Sequence, residues 1–101
     1  MLEYKFLDGV LCIRLQGELD HSVAPALKQE IDALIASDRA KHVILDLSGL
    51  SFMDSTGVGL VLGRYKKLSQ KGIPLAIRYP SSVAAKVLQV SGITKLIQII
   101  Q

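Results

Sequence analysis

Six consecutive residues, Asp54-Ser55-Thr56-Gly57-Val58-Gly59, place a carboxylate and two hydroxyls where an apolar strand, Val43-Ile44-Leu45-Asp46-Leu47, passes through a short loop into a helix. The first backbone N–H groups of a helix have no intrahelical partners and carry the positive end of its dipole, so an anion or a developing phosphate is stabilised there. Ser55 is therefore the hydroxyl whose chemistry needs explaining. Asp54 stands where either a structural N-cap or a participant in phosphorylation would stand. Gly57 and Gly59 each cost a helix about 1 kcal/mol relative to alanine. That cost is understandable where another molecule must approach the backbone closely. Gly63 is expected to pack on a sheet as a small residue.

Enzyme chemistries fit these residues poorly. Asp54-Ser55-Thr56-Gly57 looks superficially like the Asp-Thr/Ser-Gly of an aspartic protease, and a chain of this length could supply half of a dimeric one. That chemistry needs two carboxylates sharing a proton in an all-β scaffold, whereas here Thr56 replaces the glycine and a helix follows. Gly57 and Gly63 stand one residue too far apart for a Walker loop, and Arg64 and Tyr65 stand in place of its Lys and Ser/Thr. The third glycine comes one position late for a dinucleotide fingerprint. A hydrolase using Ser55 as nucleophile would need a base within hydrogen-bond reach, and no convincing Ser-His-Asp arrangement is present. His21 and His42 are isolated and have no metal-ligand spacing around them. Cys12 is the only cysteine, which excludes an intrachain disulfide and a thiolate cluster. Its neighbours Val10, Leu11 and Ile13 predict an inert, buried thiol. No catalytic residue, metal or cofactor is expected.

The 101 residues, half of them hydrophobic, fit one domain spanning 1–101 with a sizeable core. No apolar run approaches the roughly 18 residues of a membrane span, and Met1-Leu2-Glu3-Tyr4-Lys5 lacks the pattern of a signal peptide. A cytoplasmic protein without membrane contact is expected. The net charge of +3 is modest, and its basic residues are scattered with no aromatic stacking platforms between them. Direct nucleic-acid binding is not expected. The densest basic group, Arg64, Lys66, Lys67 and Lys71, predicts a solvated helix face.

The hydrophobic pattern predicts the elements that position Ser55. Leu2 to Leu7 and Val10 to Gln16 read as strands joined by the Asp8-Gly9 hairpin signal. Gly17 to Ser22 reads as a loop. Ser22 to Ile35 reads as a helix with Val23, Leu27, Ile31, Leu34 and Ile35 on one face and Pro25 in its first turn. His42 to Leu47 is a strand expected to be buried on both faces. A second helix runs from Ser55 to Gln70, with Val58, Val61, Leu62, Tyr65 and Leu68 at helical spacing and Gly72 and Pro74 beyond its end. Ile73 to Arg78 is the next strand. A third helix, capped by Ser81 or Ser82, ends before Gly92 with Val83, Val87 and Leu88 inward. Lys95 to Ile100 forms the last strand. The order β-β-α-β-α-β-α-β implies an α/β domain with right-handed crossovers between parallel neighbours.

Val10-Leu-Cys-Ile-Arg-Leu-Gln-Gly-Glu-Leu-Asp-His21, Leu50-Ser-Phe-Met-Asp-Ser-Thr-Gly57 and Leu62-Gly-Arg-Tyr-Lys66 together resemble the STAS domain family, in its branch of stage II sporulation anti-sigma factor antagonists. The resemblance covers nearly the whole chain. It implies a STAS-type fold with a mixed central sheet, an opening hairpin and helices packed on the sheet. It also implies a phosphoprotein of transcription regulation, whose motif serine is phosphorylated by a partner that is both anti-sigma factor and serine kinase, and restored by a serine phosphatase. Carried onto this sequence, that serine is Ser55. Thr56 departs from the second serine that close relatives often carry. Relatives usually continue into a C-terminal helix after the last strand, where this sequence ends at Gln101; an uncovered apolar face or edge would there favour self-association.

The resemblance and the residues imply one mechanism. The start of the second helix docks on the anti-sigma factor, with Asp54, Ser55, Thr56, Gly57 and Gly59 in the contact and Asp20 and His21, beside Glu18, flanking it. Unmodified Ser55 permits tight binding and displaces the sigma factor. Phosphorylation adds about −1.5 to −2 charges. A partner carboxylate ~5 Å away would repel each of those charges by roughly 3 kcal/mol at an effective dielectric of about 20. The alternative reading is the same fold serving as a scaffold or transporter-associated module outside sporulation.

Overall fold

A computed structural model describes residues 1–37 and 39–101. Asp8 and Gly9 take φ of 51° and 80°, and the turn they form joins β1 (Leu2–Leu7) to β2 (Val10–Leu19) as an antiparallel hairpin. Positive φ at both positions is what the Asp-Gly pair predicts. Helix α1 (Ala24–Ala36) crosses to β3 (His42–Met53), α2 (Ser55–Gln70) to β4 (Leu75–Arg78), and α3 (Ser82–Ser91) with a 3-10 turn (Ile93–Lys95) to β5 (Gln98–Ile100). The five strands form one sheet in the order β1-β2-β3-β4-β5, parallel from β2 onward. This is the mixed α/β sheet that the sequence predicts.

The core lies on one face of that sheet. Leu11, Ile13 and Leu15 of β2, Val43, Leu45 and Leu47 of β3, and Leu75 and Ile77 of β4 form one cluster with Leu27 and Ile31 of α1, Val61 and Leu68 of α2, and Leu88 of α3. The expectation that β3 is buried on both faces holds in part: on the face away from the core Asp46 is buried, but Ile44 is only half-buried and His42 is exposed. The opposite face carries Cys12, Arg14, Ile44, Asp46, Ala76 and Arg78, none of which joins the cluster. Cys12 is only half-buried there, and its sulfur accepts a hydrogen bond from an Arg78 terminal nitrogen at 3.0 Å. Asp46 lies 3.5 Å from the same guanidinium.

Two strands are longer than predicted. β2 continues through Gly17 and Glu18 to Leu19, and β3 continues from Ser48 to Met53, pairing Gly17 with Leu50 and Leu19 with Met53. Register shifts between Arg14 and Gln16 and between Gly17 and Glu18 mark bulges, which bend the pair and hid it from a simple alternation pattern. Gly49 permits the bend, because a Cβ there would stand 2.8 Å from the Gln16 Cβ and 3.1 Å from the Leu15 carbonyl oxygen. Helix α1 starts two residues later than predicted. The Asp20 carboxylate accepts the Ser22 and Val23 N–H groups at 2.9 and 3.3 Å and holds them in a turn.

Other expectations also change. Arg64 does not belong to a solvated face: it is 7% exposed, with its Nε 2.9 Å from Asp32 of α1. Val83 faces out, 41% exposed, while Ala84 and Leu88 face the core. The last strand begins at Gln98 because Ile93 to Lys95 forms the 3-10 turn. No helix among the described residues is long and apolar enough to cross a membrane.

Candidate functional site

The extended β2 and β3 deliver their carboxyl ends side by side, with the Asp54 N–H directed to the Leu19 carbonyl at 3.4 Å. In sheets with parallel strands, binding surfaces gather at such ends. The pairing brings together the two segments singled out in the sequence, Asp20-His21 after β2 and Asp54-Ser55-Thr56 after β3.

Asp54 is the N-cap of α2. Its backbone is extended, with φ −119° and ψ −172°, and its carboxylate oxygen accepts the N–H groups of Thr56 and Gly57 at 3.0 and 3.2 Å. Its carbonyl accepts the Val58 N–H at 3.2 Å. Two of the amides that the sequence offers to an outside anion, those of Thr56 and Gly57, are therefore already held by this chain's own carboxylate. Ser55 and Thr56, the first two residues of α2, are both exposed.

The glycines of α2 divide into two roles. Gly57 turns inward and is buried; an added Cβ would meet the Leu19 Cγ at 2.9 Å and the Met53 Cγ at 3.1 Å. It lets α2 lie on the ends of β2 and β3. Gly59 is exposed, and a Cβ there would meet nothing within 4 Å. A Cβ on the half-buried Gly63 would likewise meet nothing within 4 Å, so its expected packing on the sheet is corrected.

Two open grooves flank the start of α2. One, of about 610 Å³, lies between α1 and α2 and is lined by Thr56, Gly59 and Gly63 together with His21, Pro25 and Lys28. The other, of about 430 Å³, lies between α2 and α3 and is lined by Ser55, Val58, Lys86, Val87, Val90 and Ser91. Neighbouring hydroxyls thus open on opposite sides of one helix. His21 is exposed at the rim of the first groove. Asp20 is tied into its own turn: hydrogen bonds from the Ser22 hydroxyl and N–H lead the causes that hold its carboxyl below the usual value, with a smaller contribution from the His21 charge.

Sequence reasoning missed Lys28, Lys86, Val87 as a groove residue, and Val90. Val90 gave no warning, since it follows Val83 and Val87 on the stripe expected to face inward, yet it is 82% exposed. Isolated exposed valines are common. The α2–α3 groove becomes visible only once the helices are placed.

The STAS domain model matches residues 1–101. Over 98 residues the chain is 38% identical to the Anti-sigma F factor antagonist of Paenibacillus polymyxa, covering 97% of this chain and 84% of that protein. Its structure is similar to that of the anti-sigma factor antagonist SpoIIAA in its unphosphorylated form, with a TM-score of 0.84 and 32% identity, covering 100% of this chain and 89% of the other. It is similar also to the Bacillus cell fate determinant SpoIIAA in the phosphorylated form, with a TM-score of 0.76 and 32% identity, covering 100% and 92%. The sheet order, the helix-start serine and a match along the whole sequence converge: this chain belongs to the STAS domain family.

Proposed function

We propose that this chain is an anti-sigma factor antagonist controlled by phosphorylation of Ser55, acting in transcription regulation of the sporulation type. The observation that carries the reading is the placement of Ser55: an exposed hydroxyl at the first position of α2, between two open grooves, on a turn fixed by Asp54. The similarity to SpoIIAA in both its unphosphorylated and phosphorylated forms supports a switch without a change of fold.

In this reading the unmodified face, formed by Ser55, Thr56 and Gly59 with Asp20 and His21 alongside, binds an anti-sigma factor and frees its sigma factor. The anti-sigma factor is also the kinase. The Ser55 Oγ attacks the γ-phosphorus of a nucleoside triphosphate held by that partner; the bond to the bridging oxygen breaks, nucleoside diphosphate leaves, and the serine proton passes to a base on the partner. A serine phosphatase reverses the state by directing water at the phosphorus, which returns the hydroxyl and releases inorganic phosphate. This chain supplies no catalytic group to either step. Asp54 serves by holding Ser55 in place, since its carboxylate is committed to the helix amides.

Incubation with the anti-sigma kinase and ATP, followed by peptide mass spectrometry, tests the assignment. One phosphate on Ser55 is expected, and Ser55→Ala should abolish incorporation while still binding the partner. Undiminished labelling of Ser55→Ala, or labelling at Thr56, would overturn it.

A further inference from the structure

The α2–α3 groove beside Ser55 has a floor of valines and a single charged side chain in its lining, Lys86. Lys86 is exposed on α3 and makes no ion pair with any described residue. A phosphate on Ser55 would have few other partners. The Thr56 and Gly57 amides are already held by the Asp54 carboxylate, which is itself a negative neighbour one residue away. His21 and Lys28 line the groove on the opposite side of α2, with Thr56. The cation facing the Ser55 side is Lys86, on a stem of four carbons long enough to lie along apolar surface while its ammonium reaches a neighbouring anion.

We propose that a phosphate on Ser55 is held by Lys86 of the same chain as an ion pair across the α2–α3 groove, and that this latch covers Val87 and Val90 and so closes the apolar side of the docking face. The inference rests on the reading of Ser55 as the acceptor. It adds to charge repulsion a second way in which phosphate removes the partner: the valine floor that the unmodified protein presents is bridged by the protein's own lysine. Phosphate is close to dianionic at neutral pH, with a second pKa of about 6. A charge-assisted pair with an ammonium favours the dianion and lowers that value.

The test uses the full chain with phosphoserine installed at position 55 during synthesis, titrated by phosphorus NMR at low salt. Lys86→Met should raise the second pKa of the phosphate by about half a unit or more, Lys86→Arg should restore it, and Lys28→Met should leave it in place. The Lys86 effect should shrink as salt is added. Lys86 is exposed, so the variants are expected to fold, and circular dichroism on each sample verifies it. An unchanged titration in Lys86→Met, or an equal shift in Lys28→Met, overturns the latch. Because the phosphoserine is placed without a kinase, failure of Ser55 to be labelled enzymatically would overturn the functional reading and leave this result standing.

Discussion

Asp54 and Ser55 are adjacent in sequence and opposite in duty. The carboxylate spends its hydrogen bonds on the first turn of α2, and the hydroxyl keeps its own for solvent or a partner. Asp54→Ala should cost about 1 kcal/mol in urea unfolding, the usual loss for an N-cap; an unchanged midpoint would show that the turn does not need the cap. The glycines allow a sharper contrast. Gly59→Ala should stabilise the fold by up to about 1 kcal/mol, since the added methyl meets only solvent and helix propensity improves. If the partner packs on this turn, the same methyl weakens the complex. Gly57→Ala should instead destabilise by about 1 to 3 kcal/mol, because its methyl is forced against Leu19 and Met53. Denaturant unfolding of both variants, with calorimetric titration of the Gly59 variant, checks the pair. A Gly59→Ala protein that loses stability yet keeps its partner affinity would move the docking surface elsewhere.

At the level of elements, α1 and α2 are joined by charge as well as by apolar contact. The buried Arg64 of α2 meets Asp32 of α1 at 2.9 Å, with Lys67 at 3.6 Å from the second carboxylate oxygen. Asp32→Ala leaves the guanidinium unpaired in the core and should cost about 2 kcal/mol, below the full penalty for a deeply buried pair because Asp32 keeps 22% exposure. Asp46 plays a comparable part on the open face of β3. Burial pushes its carboxyl up, but hydrogen bonds from the Ser48 N–H and hydroxyl and the Arg78 charge together hold it below the usual value of 3.8. Its folded value being the lower one, its contribution to stability is complete above about 3.8 and is lost as pH falls from there through the folded value. Urea unfolding of the parent and Asp46→Asn at about pH 6 and about pH 3 should show a stability gap that narrows at the acid end. A gap that stays constant would contradict the assignment.

The elements also show what could be read from one sequence. The Asp8-Gly9 turn, the Ser55 to Gln70 helix, the Ser81 cap and the Gly92 stop were legible because each rests on local backbone chemistry. The second halves of β2 and β3 were not, since their pairing passes through bulges that break the period of two, and the residues between Leu47 and the helix read only as a short loop. The inward face of α2 was only partly legible. It is centred on Gly57, Leu60, Val61, Arg64 and Leu68, and an apolar pattern does not count a glycine or an ion-paired arginine as core.

Across the whole molecule, helices on one face of a mixed sheet hold the ends of β2 and β3 together and leave the start of α2 open between two grooves. The place of Ser55 at the start of α2 was legible from the sequence, whereas the asymmetry around it, with small residues and cations on the Thr56 side and valines with Lys86 on its own, depends on contacts between α1, α2 and α3 that no local pattern encodes. Such a frame fits the proposed switch, which changes surface charge without changing fold. Calorimetric titration of the anti-sigma kinase against the unmodified protein and against the same protein carrying phosphoserine at position 55 tests that claim most directly, with circular dichroism recorded on both. The account predicts native spectra for both forms and at least a tenfold loss of affinity on phosphorylation, about 1.4 kcal/mol or more. Equal affinity for the two forms would contradict it.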